Sequence, residues 1–315
     1  MELVHSEQIC TLAKPKTACE AIVSGQLSRN TARAYARDIS DFLNFIGGEQ
    51  HLPEVTKDVI ISFRTHLIES EGQKPATVNR KLSAVRQLFE EAVDRRQIPA
   101  NPTRRVKGLK QDYSYSPTIG LTRDEARTVL RSVECETLLG KRNFALLSLM
   151  IRTGLRRGEI ALLHQCDVGE RDGHRVLTVT GKGNKRRLVK LPADVWRAIE
   201  AWLEAAGIAD TESPLFAEVR KIGRGENATY RASRGKPLTG DGIWYVVRRR
   251  IREAGITANV TPHSLRHTFV TLALAGGAPL HKVQYAAGHA DPRTTERYDR
   301  ERENLDDNAV DYVRL

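Results

Sequence analysis

An aperiodic stretch at residues 103–120, TRRVKGLKQDYSYSPTIG, divides the chain. It is polar, basic and rich in turn-forming residues, and its apolar side chains follow neither a helical nor a strand period, so we interpret it as a linker. A chain of 315 residues is also too long for one hydrophobic core of ordinary size. The sequence therefore predicts two domains, residues 1–102 and residues 121–315.

Before the linker, apolar residues recur at the spacing of helix faces. One such face covers residues 35–46, and a second follows Thr56, a residue type that caps helices. Pro75 fits the first turn of a further helix. Counting one helix before Ser28, we predict an N-terminal bundle of about four helices.

The second domain is predicted to be mainly helical, beginning at a capping box of Thr122 and Glu125. The segment 141–155 is apolar almost all round, which indicates a buried helix. Residues 175–180 and 186–191 are rich in β-forming residues and are joined by GKGNK, which predicts an antiparallel hairpin. Further helices are expected at about 193–206, 239–254, 264–275, 279–286 and 292–299. The predicted fold class is mainly α with one small antiparallel β-hairpin.

Two segments of the second domain receive separate interpretations. Residues 217–237 are rich in glycine and arginine, and we interpret them as a mobile basic loop. Residues 305–315 fit a short amphipathic helix at the C-terminus.

The charge balance favours a polyanionic partner. Fifty basic residues stand against 39 acidic ones, a net charge of +11. Arginine, which binds phosphate in a fork, predominates among the cations. Several basic residues lie on the polar faces of the predicted bundle, and we expect them to contact nucleic acid, the alternative being a solvated face. They are Arg33, Arg37, Lys74, Arg80, Lys81 and Arg86.

Several function classes are excluded by missing patterns. No apolar run is long enough to span a membrane, and the N-terminus lacks a signal peptide pattern, so we expect a cytoplasmic protein with no membrane partner. The four cysteines are scattered, which favours neither a disulfide framework nor a zinc site. There is no phosphate loop, G-x-S-x-G elbow or H-E-x-x-H motif, so we expect neither ATP, a cofactor nor a metal.

Three motifs place basic residues at helix starts and turns. TGLRRGEI puts Arg156 just after a glycine that ends the buried helix. TPHSLRHT puts His263 and Arg266 at i, i+3, on one face near a helix N-terminus, where backbone N–H groups favour an anion. GHADPRTTERYDR holds His289 beside a glycine and Tyr298 on a later helix.

Each of these residues alone has a structural explanation. Arg156 can pair with Glu159, His263 can cap a helix, and Lys182 can be a solvated turn residue. Together they meet the needs of one reaction, because a phosphodiester under attack develops charge that arginines, a lysine and imidazoles stabilise without metal. A tyrosine hydroxyl, with an ordinary pKa of about 10, needs such a cationic surround to attack near neutral pH.

Over almost its whole length the chain resembles the tyrosine site-specific recombinases, the lambda-integrase and Xer-like family. TGLRRGEI resembles the first-arginine motif, TGKGNKRRLVKL the hairpin with the catalytic lysine, PHSLRHTF the H-x-x-R motif and AGHADPRTTERY the motif of the last histidine and the nucleophile. The resemblance assigns, in chain order, the catalytic residues Arg156, Lys182, His263, Arg266, His289 and Tyr298.

The resemblance implies a fold and a role for each residue. Residues 1–102 would form a SAM-like core-binding domain and residues 121–315 the catalytic domain. Tyr298 would attack a scissile phosphate and form a 3′-phosphotyrosyl link, while Arg156 and Arg266 hold the non-bridging oxygens. The hairpin lysine would protonate the leaving 5′-oxygen, the first histidine would assist proton transfer, and the last would donate to the phosphate.

It also implies positions around the reacting groups and the assembly on DNA. Glu159 would orient the first arginine. Lys185 and Arg186 are further predicted DNA contacts, apart from the resemblance. The partners would be a double-stranded recombination site and a homotetramer on two synapsed sites, exchanging strands through a Holliday junction without ATP or metal. The expected location is the bacterial cytoplasm, at the nucleoid. Residues 305–315 would either dock on a neighbouring subunit or pack on their own domain.

Two alternatives remain open from the sequence. A non-catalytic DNA-binding protein shares the charge and the bundle, but it has no need of every matched position. A type IB topoisomerase shares the tyrosine chemistry and would relax supercoils without two specific sites. Integration, excision and dimer resolution differ only in target and partners, so the sequence does not choose among them.

Overall fold

A computed structural model describes residues 17, 20, 22, 25, 29–110, 118–181, 184–223 and 229–298. The chain divides into two compact units, Met1–Asp112 and Tyr113–Leu315. No helix within these described ranges is long and apolar enough to cross a bilayer.

The described part of the first unit is helical. Its elements are α1 (Arg29–Ile46), a 3₁₀ turn (Glu49–Glu54), α2 (Lys57–Glu69) and α3 (Pro75–Asp94). Phe42 packs edge-to-face on Phe63 and Phe89, with ring centroids 5.1 and 5.7 Å apart, and this trio centres the core. Pro75 occupies the first turn as predicted. The helix predicted before Ser28 falls almost entirely outside the described residues.

The first part of the predicted linker is bound to this unit. Val106 is buried in the same core. The Asn79 amide brackets Leu109, donating to its carbonyl at 2.9 Å and accepting from its N–H at 2.7 Å. These contacts hold the chain against α3 well beyond residue 102.

The second unit is mainly helical, as predicted. Its helices are α4 (Arg123–Arg131), α5 (Leu138–Thr153), α6 (Arg157–Ile160), α7 (Ala193–Ala206), α8 (Gly240–Glu253), α9 (Pro262–Ala275), α10 (Leu280–Ala287) and α11 (Arg293–Glu296). The capping box at α4 is present, since Glu125 N–H donates to Thr122 Oγ1 at 3.2 Å and Thr122 N–H to Glu125 Oε2 at 2.8 Å. Helix α5 is buried along most of its length, as its all-round apolar sequence predicts.

An antiparallel sheet of order β1-β2-β3 follows α6. Its strands are β1 (Val168–Arg171), β2 (His174–Thr180) and β3 (Arg186–Lys190). The β2–β3 pair confirms the predicted hairpin, and β1 was missed because it is short and contains a glycine. Asp172 and Gly173 join β1 to β2 with φ of 53° and 72°, the left-handed pair that a tight hairpin turn requires.

The interpretation of residues 217–237 as a mobile loop is wrong for the described part of that segment. Strands β4 (Ala217–Ile222) and β5 (Thr229–Pro237) pair antiparallel there. Ala217 and Ala232 are buried, and Val219, opposite Ala232, packs against the core of the unit. Alternating small apolar residues anchor this ribbon, and its high charge obscured that period.

Candidate active site

The turn after α5 brings two arginines together. The helix ends at Gly154 with φ of 63°, and a Cβ there would collide with the ring of Phe269, so the position requires glycine. Two residues later Arg156 precedes α6, and the Gly154 carbonyl accepts a hydrogen bond of 2.9 Å from Arg266 Nη1. The glycine turn therefore sets the relative positions of residues from two distant motifs.

Arg266 lies in the buried first part of α9, with only 2% of its surface exposed. Burial first, and then the neighbouring charge of Arg156, lowers the pKa of its guanidinium to about 10. In the part of the chain that the structure describes, no acceptor meets its buried Nη2. A buried N–H without a partner costs roughly 1–3 kcal/mol, so this group is suited to an incoming anion.

Glu159, on α6, is the carboxylate at the centre of the cluster. Its Oε1 accepts from Arg156 Nη1 at 2.9 Å and from Arg187 Nη1 at 3.0 Å. Its Oε2 accepts from Arg156 N–H at 2.8 Å and from Arg187 Nη2 at 2.9 Å. Burial alone would raise the pKa of Glu159, but the hydrogen bonds from both arginines prevail and lower it. The predicted pairing of Glu159 with Arg156 is present.

Arg187, on β3, was not singled out from the sequence. It also donates from Nε to the Ala286 carbonyl at 3.3 Å, near the end of α10. A Cβ on Gly288, whose φ is 67°, would lie 2.8 Å from Arg187 Cζ, so the guanidinium packs where only glycine fits. Arg156 Nη2 donates to the Gly288 carbonyl at 2.9 Å. Arg156 and Arg187 thus both contact the turn that leads to His289.

The two predicted histidines lie beside these arginines. His289 is buried, and its Nδ1 lies 2.8 Å from Thr295 Oγ1. Burial first, and then Arg266 and Arg156, lowers the pKa of His289 to about 3, so it is neutral near pH 7. His263 stays exposed on the first turn of α9, and partial desolvation together with the same two arginines lowers its pKa.

Tyr298 lies against both a predicted and an unpredicted histidine. It is 5% exposed, and its ring packs edge-on to His267 at 4.6 Å between centroids and nearly parallel to His289 at 5.9 Å. It is near enough to Arg266 to interact with that charge. The predicted nucleophile Tyr298 therefore lies beside the basic site residues of the same chain.

The remaining predicted site residues differ in what the structure shows. Lys182 lies outside the described residues, as does the segment 305–315. Lys185, just before β3, and Arg186, the first residue of β3, are exposed. Among the described residues, no three His, Cys, Asp or Glu side chains come together as a metal would require.

The predicted DNA contacts of the first unit divide into two groups. Arg33, Arg37 and Lys74 are exposed. The others are engaged within the unit: Arg80 with Asp38, Lys81 with Asp41 at 2.7 Å, and Arg86 with the Val106 carbonyl at 3.3 Å. Lys81 is itself buried.

Comparison with known proteins places the chain. Residues 120–304 match the model of the phage integrase family, and residues 21–96 match the N-terminal SAM-like domain of phage integrases. The chain belongs to the phage integrase family. A tyrosine recombinase XerD of Ralstonia nicotianae is 31% identical over 91% of this chain and 92% of its own length. A tyrosine recombinase XerC of Myxococcus xanthus is 31% identical over 86% of this chain and 87% of its own length.

Solved structures share the fold of this integrase-family chain. The XerH recombinase bound to palindromic difH substrate gives a TM-score of 0.68 at 23% identity, over 89% of this chain and 78% of XerH. A lambda integrase dimer bound to a COC′ core site gives 0.68 at 18% identity, over 91% of this chain and 94% of that one. The predictions of a mainly helical fold, a SAM-like first domain and a tyrosine recombinase are confirmed, and the chain is a DNA strand transferase of that family.

Proposed function

We propose that this recombinase cuts and rejoins double-stranded DNA at specific sites, with Tyr298 as nucleophile and a 3′-phosphotyrosyl link as intermediate. One observation carries the proposal. Arg156, Arg266, His289 and Tyr298 come from three separate motifs and meet in one cluster, where a buried Arg266 N–H points at no described acceptor. A scissile phosphate supplies the missing acceptor and the opposite charge.

In the proposed reaction the arginines bind the phosphate. Arg266 Nη2 and the exposed part of Arg156 donate to the non-bridging oxygens, whose charge grows as the nucleophile approaches. Charge-assisted bonds of this kind are the strong ones, and a guanidinium fork matches phosphate geometry. Glu159 holds Arg156 in place from behind.

Proton movements are assigned to the neighbouring groups. Tyr298 Oη loses its proton to His263 as the bond to phosphorus forms, and Lys182 protonates the 5′-oxygen as the bond from phosphorus to it breaks. His289 stays neutral. We assign Nδ1, which lies 2.8 Å from the Thr295 hydroxyl, as the acceptor of that contact, so that Nε2 carries the proton and donates it to the phosphate. Rejoining reverses these steps, with a 5′-hydroxyl as attacking group, so the bond energy is retained in the phosphotyrosine.

The proposed partners are a recombination site and further copies of the chain. A lambda integrase tetramer has been solved on a Holliday junction, and the present chain shares its fold at a TM-score of 0.65, covering 89% of this chain and 74% of that one. We infer a tetramer on two synapsed sites, acting in the bacterial cytoplasm at the nucleoid. The net charge of +11 supports a DNA partner.

The proposed DNA contacts are the exposed cations of both units. Arg33, Arg37 and Lys74 belong to the first unit, and Lys185 and Arg186 to the second. Arg80, Lys81 and Arg86 stay predictions, and each must leave an internal partner to reach DNA. The trans docking of residues 305–315 likewise stays a prediction.

The test is a nicked suicide substrate that carries the recombination site, resolved on a denaturing gel. The unaltered protein is expected to form a covalent protein–DNA adduct, and Tyr298→Phe to form none while still binding the site. An adduct that persists in Tyr298→Phe would refute the assignment. Failure of the unaltered protein to form any adduct favours a non-catalytic DNA-binding protein, and relaxation of supercoiled DNA lacking the site favours a topoisomerase.

A further inference from the structure

Arg187 has no part in the reaction derived so far, yet it occupies the middle of the cluster. Its side chain is 10% exposed. Both of its terminal nitrogens bind Glu159, one to each carboxylate oxygen, at 3.0 and 2.9 Å. Such a forked pair is specific to arginine, because a lysine ammonium offers a single point of charge.

The contacts of Arg187 join three separate segments of the chain. Through Glu159 it reaches Arg156, which bonds the same carboxylate through both its side chain and its backbone N–H. Through the Ala286 carbonyl, and through its packing on Gly288, it reaches the turn before the second histidine of the site. β3 itself pairs with β2, with Arg187 opposite Val179.

The balance of charge gives this arrangement a chemical consequence. Glu159 carries one negative charge and faces two guanidiniums. With Arg187 present, the trio keeps one net positive charge for the phosphate. Without Arg187, Glu159 and Arg156 would form a neutral pair, and the carboxylate would compete with the phosphate for Arg156.

We propose that Arg187 is a positioning residue for strand cleavage: by clamping Glu159 it orients Arg156 toward the scissile phosphate, keeps that arginine's charge available, and fixes the Gly288 turn that presents His289. Arg187 does not itself touch the reacting atoms. The inference rests on the proposed function, since it assigns Arg156 and His289 to the phosphate.

The first experiment separates chemistry from binding. Single-turnover cleavage of the nicked substrate, with protein in excess, is measured for Arg187→Gln and Arg187→Lys, and DNA affinity is measured separately. We expect both variants to cleave about 10- to 100-fold more slowly, as for a small misplacement of a catalytic group. Affinity should change by less than about threefold, because the other phosphate contacts remain. Lys190→Gln removes an exposed cation from the same strand and is the matched control.

Arg187→Lys keeps the positive charge and allows the proposal to be tested if Arg187→Gln does not fold. If Arg187→Gln lowers the melting temperature so far that it is unfolded at the assay temperature, the lysine variant decides. A lysine variant that is folded and cleaves at the unaltered rate overturns the proposal. A lysine variant that is folded, binds DNA and cleaves slowly supports it.

A second substrate identifies which group Arg187 positions. A 5′-bridging phosphorothiolate leaves without a general acid, because a thiol has a pKa of about 8.5. Loss of the proposed acid in Lys182→Ala should therefore be rescued by this substrate. Arg187→Gln should not be rescued, since its defect lies at the non-bridging oxygens. Full rescue of Arg187→Gln would show that Arg187 positions the hairpin lysine rather than Arg156, and it would overturn the proposal.

The pH profile provides a readout that a structural defect would not move. The hydrogen bonds of Arg187 help to hold the pKa of Glu159 below its ordinary value. In Arg187→Gln that pKa rises, so the carboxylate protonates at a higher pH and no longer orients Arg156 through the bonds it accepts from Arg156 N–H and Nη1. The acid limb of the cleavage profile should move to higher pH, and this shift should vanish when Glu159→Gln is added. An acid limb that stays in place counts against the proposal.

Failure of this inference is distinguishable from failure of the proposed function. If the unaltered protein forms no Tyr298-dependent adduct, the proposed function fails whatever the Arg187 variants do. If the adduct forms and the folded Arg187 variants match the unaltered rate, the assignment of Arg187 alone is wrong.

Discussion

Two buried acids, one in each unit, have pKa values shifted in opposite directions, although burial alone would raise both. Asp38 accepts a bond from Arg80 on Oδ2, while no described group donates to its buried Oδ1, and burial raises the pKa of Asp38 in spite of Arg80. Glu159 accepts four bonds from Arg156 and Arg187, and its pKa is lowered. The number of donors on each carboxylate, rather than its depth, decides the direction of the shift.

The same comparison separates a structural cluster of charges from a functional one. In the cluster around Asp38 in the first unit, basic and acidic side chains are matched: Arg80 with Asp38 and Lys81 with Asp41. In the second unit, Arg266 joins the two guanidiniums on Glu159, so positive charge exceeds negative around the site. Matched charges need no ligand, whereas a surplus of cations favours a polyanion.

The largest expected difference comes from removing each acid. Glu159→Ala strands the nearly buried Arg187 without a counter-charge, and we expect about 3–5 kcal/mol less stability together with slow cleavage. Asp38→Ala leaves Arg80, 44% exposed in its side chain, free to be hydrated, and the expected loss is about 1 kcal/mol. Urea unfolding of both variants checks this, and equal losses would contradict the comparison.

Next in size is the effect of removing the unsatisfied arginine. Arg266→Gln should slow single-turnover cleavage about 10²- to 10³-fold, the typical cost of losing a preorganised donor to a developing oxyanion. Arg142→Gln is the matched control, because Arg142 is also buried with a pKa lowered by burial to about 10, yet donates to Asn143 and the Ala217 carbonyl. That control should lose stability and keep its rate on saturating DNA.

Lys81→Met sharpens the comparison within the first unit. The Lys81 ammonium is buried and pairs with the partly exposed carboxylate of Asp41. We therefore expect Lys81→Met to lower the free energy of unfolding by about 1–2 kcal/mol. An unchanged slope of log affinity against log salt would confine Lys81 to this ion pair. A slope smaller by about one, with stability unaffected, would instead show a phosphate contact at Lys81.

A smaller expected effect is the uptake of protons by the site when DNA binds. The pKa of His263 is lowered in the free protein by partial desolvation, Arg266 and Arg156. A bound phosphate offsets those two charges and raises this pKa, so binding below the ordinary imidazole pKa of about 6.5 should take up a fraction of a proton. Affinity should therefore fall as pH rises through this window. Calorimetry in two buffers of different ionisation enthalpy measures the uptake, and His263→Gln should reduce it.

The smallest expected effect concerns Asp38. Its pKa is raised in the folded chain, so between its ordinary value and that raised value the folded state holds more protons than the unfolded state. Stability from this group is therefore present at low pH and lost as pH rises through the window. Asp38→Asn should remove that slope, changing stability by about 1 kcal/mol or less. The opposite slope would contradict the direction assigned here.

Local signals were readable from the sequence. The capping box at Thr122, the buried α5 and the i, i+3 pair of His263 and Arg266 depend on neighbouring residues, so periodicity and spacing suffice to predict them. The motif order was enough to assign the family. The Asp172–Gly173 pair is also typical of a tight hairpin turn, so strand β1 could have been predicted from it.

Tertiary pairings were not readable. Arg187 binds Glu159 across 28 positions and stands beside Arg186, which has the same side chain and faces solvent. Only the strand register decides which of the two turns inward. The engagement of Lys81 with Asp41, 40 positions away, was hidden for the same reason.

The packing of Tyr298 against two histidines provides an NMR signal for the position of its ring. The phenol ring lies 4.6 Å from His267 edge-on and 5.9 Å from His289 face to face. Ring currents from Tyr298 therefore displace the imidazole proton resonances of both histidines from their random-coil positions. If the tyrosine leaves this slot to reach a phosphate, those resonances move together, so an NMR spectrum of unlabelled histidine side chains would record the departure of the nucleophile without any attached probe.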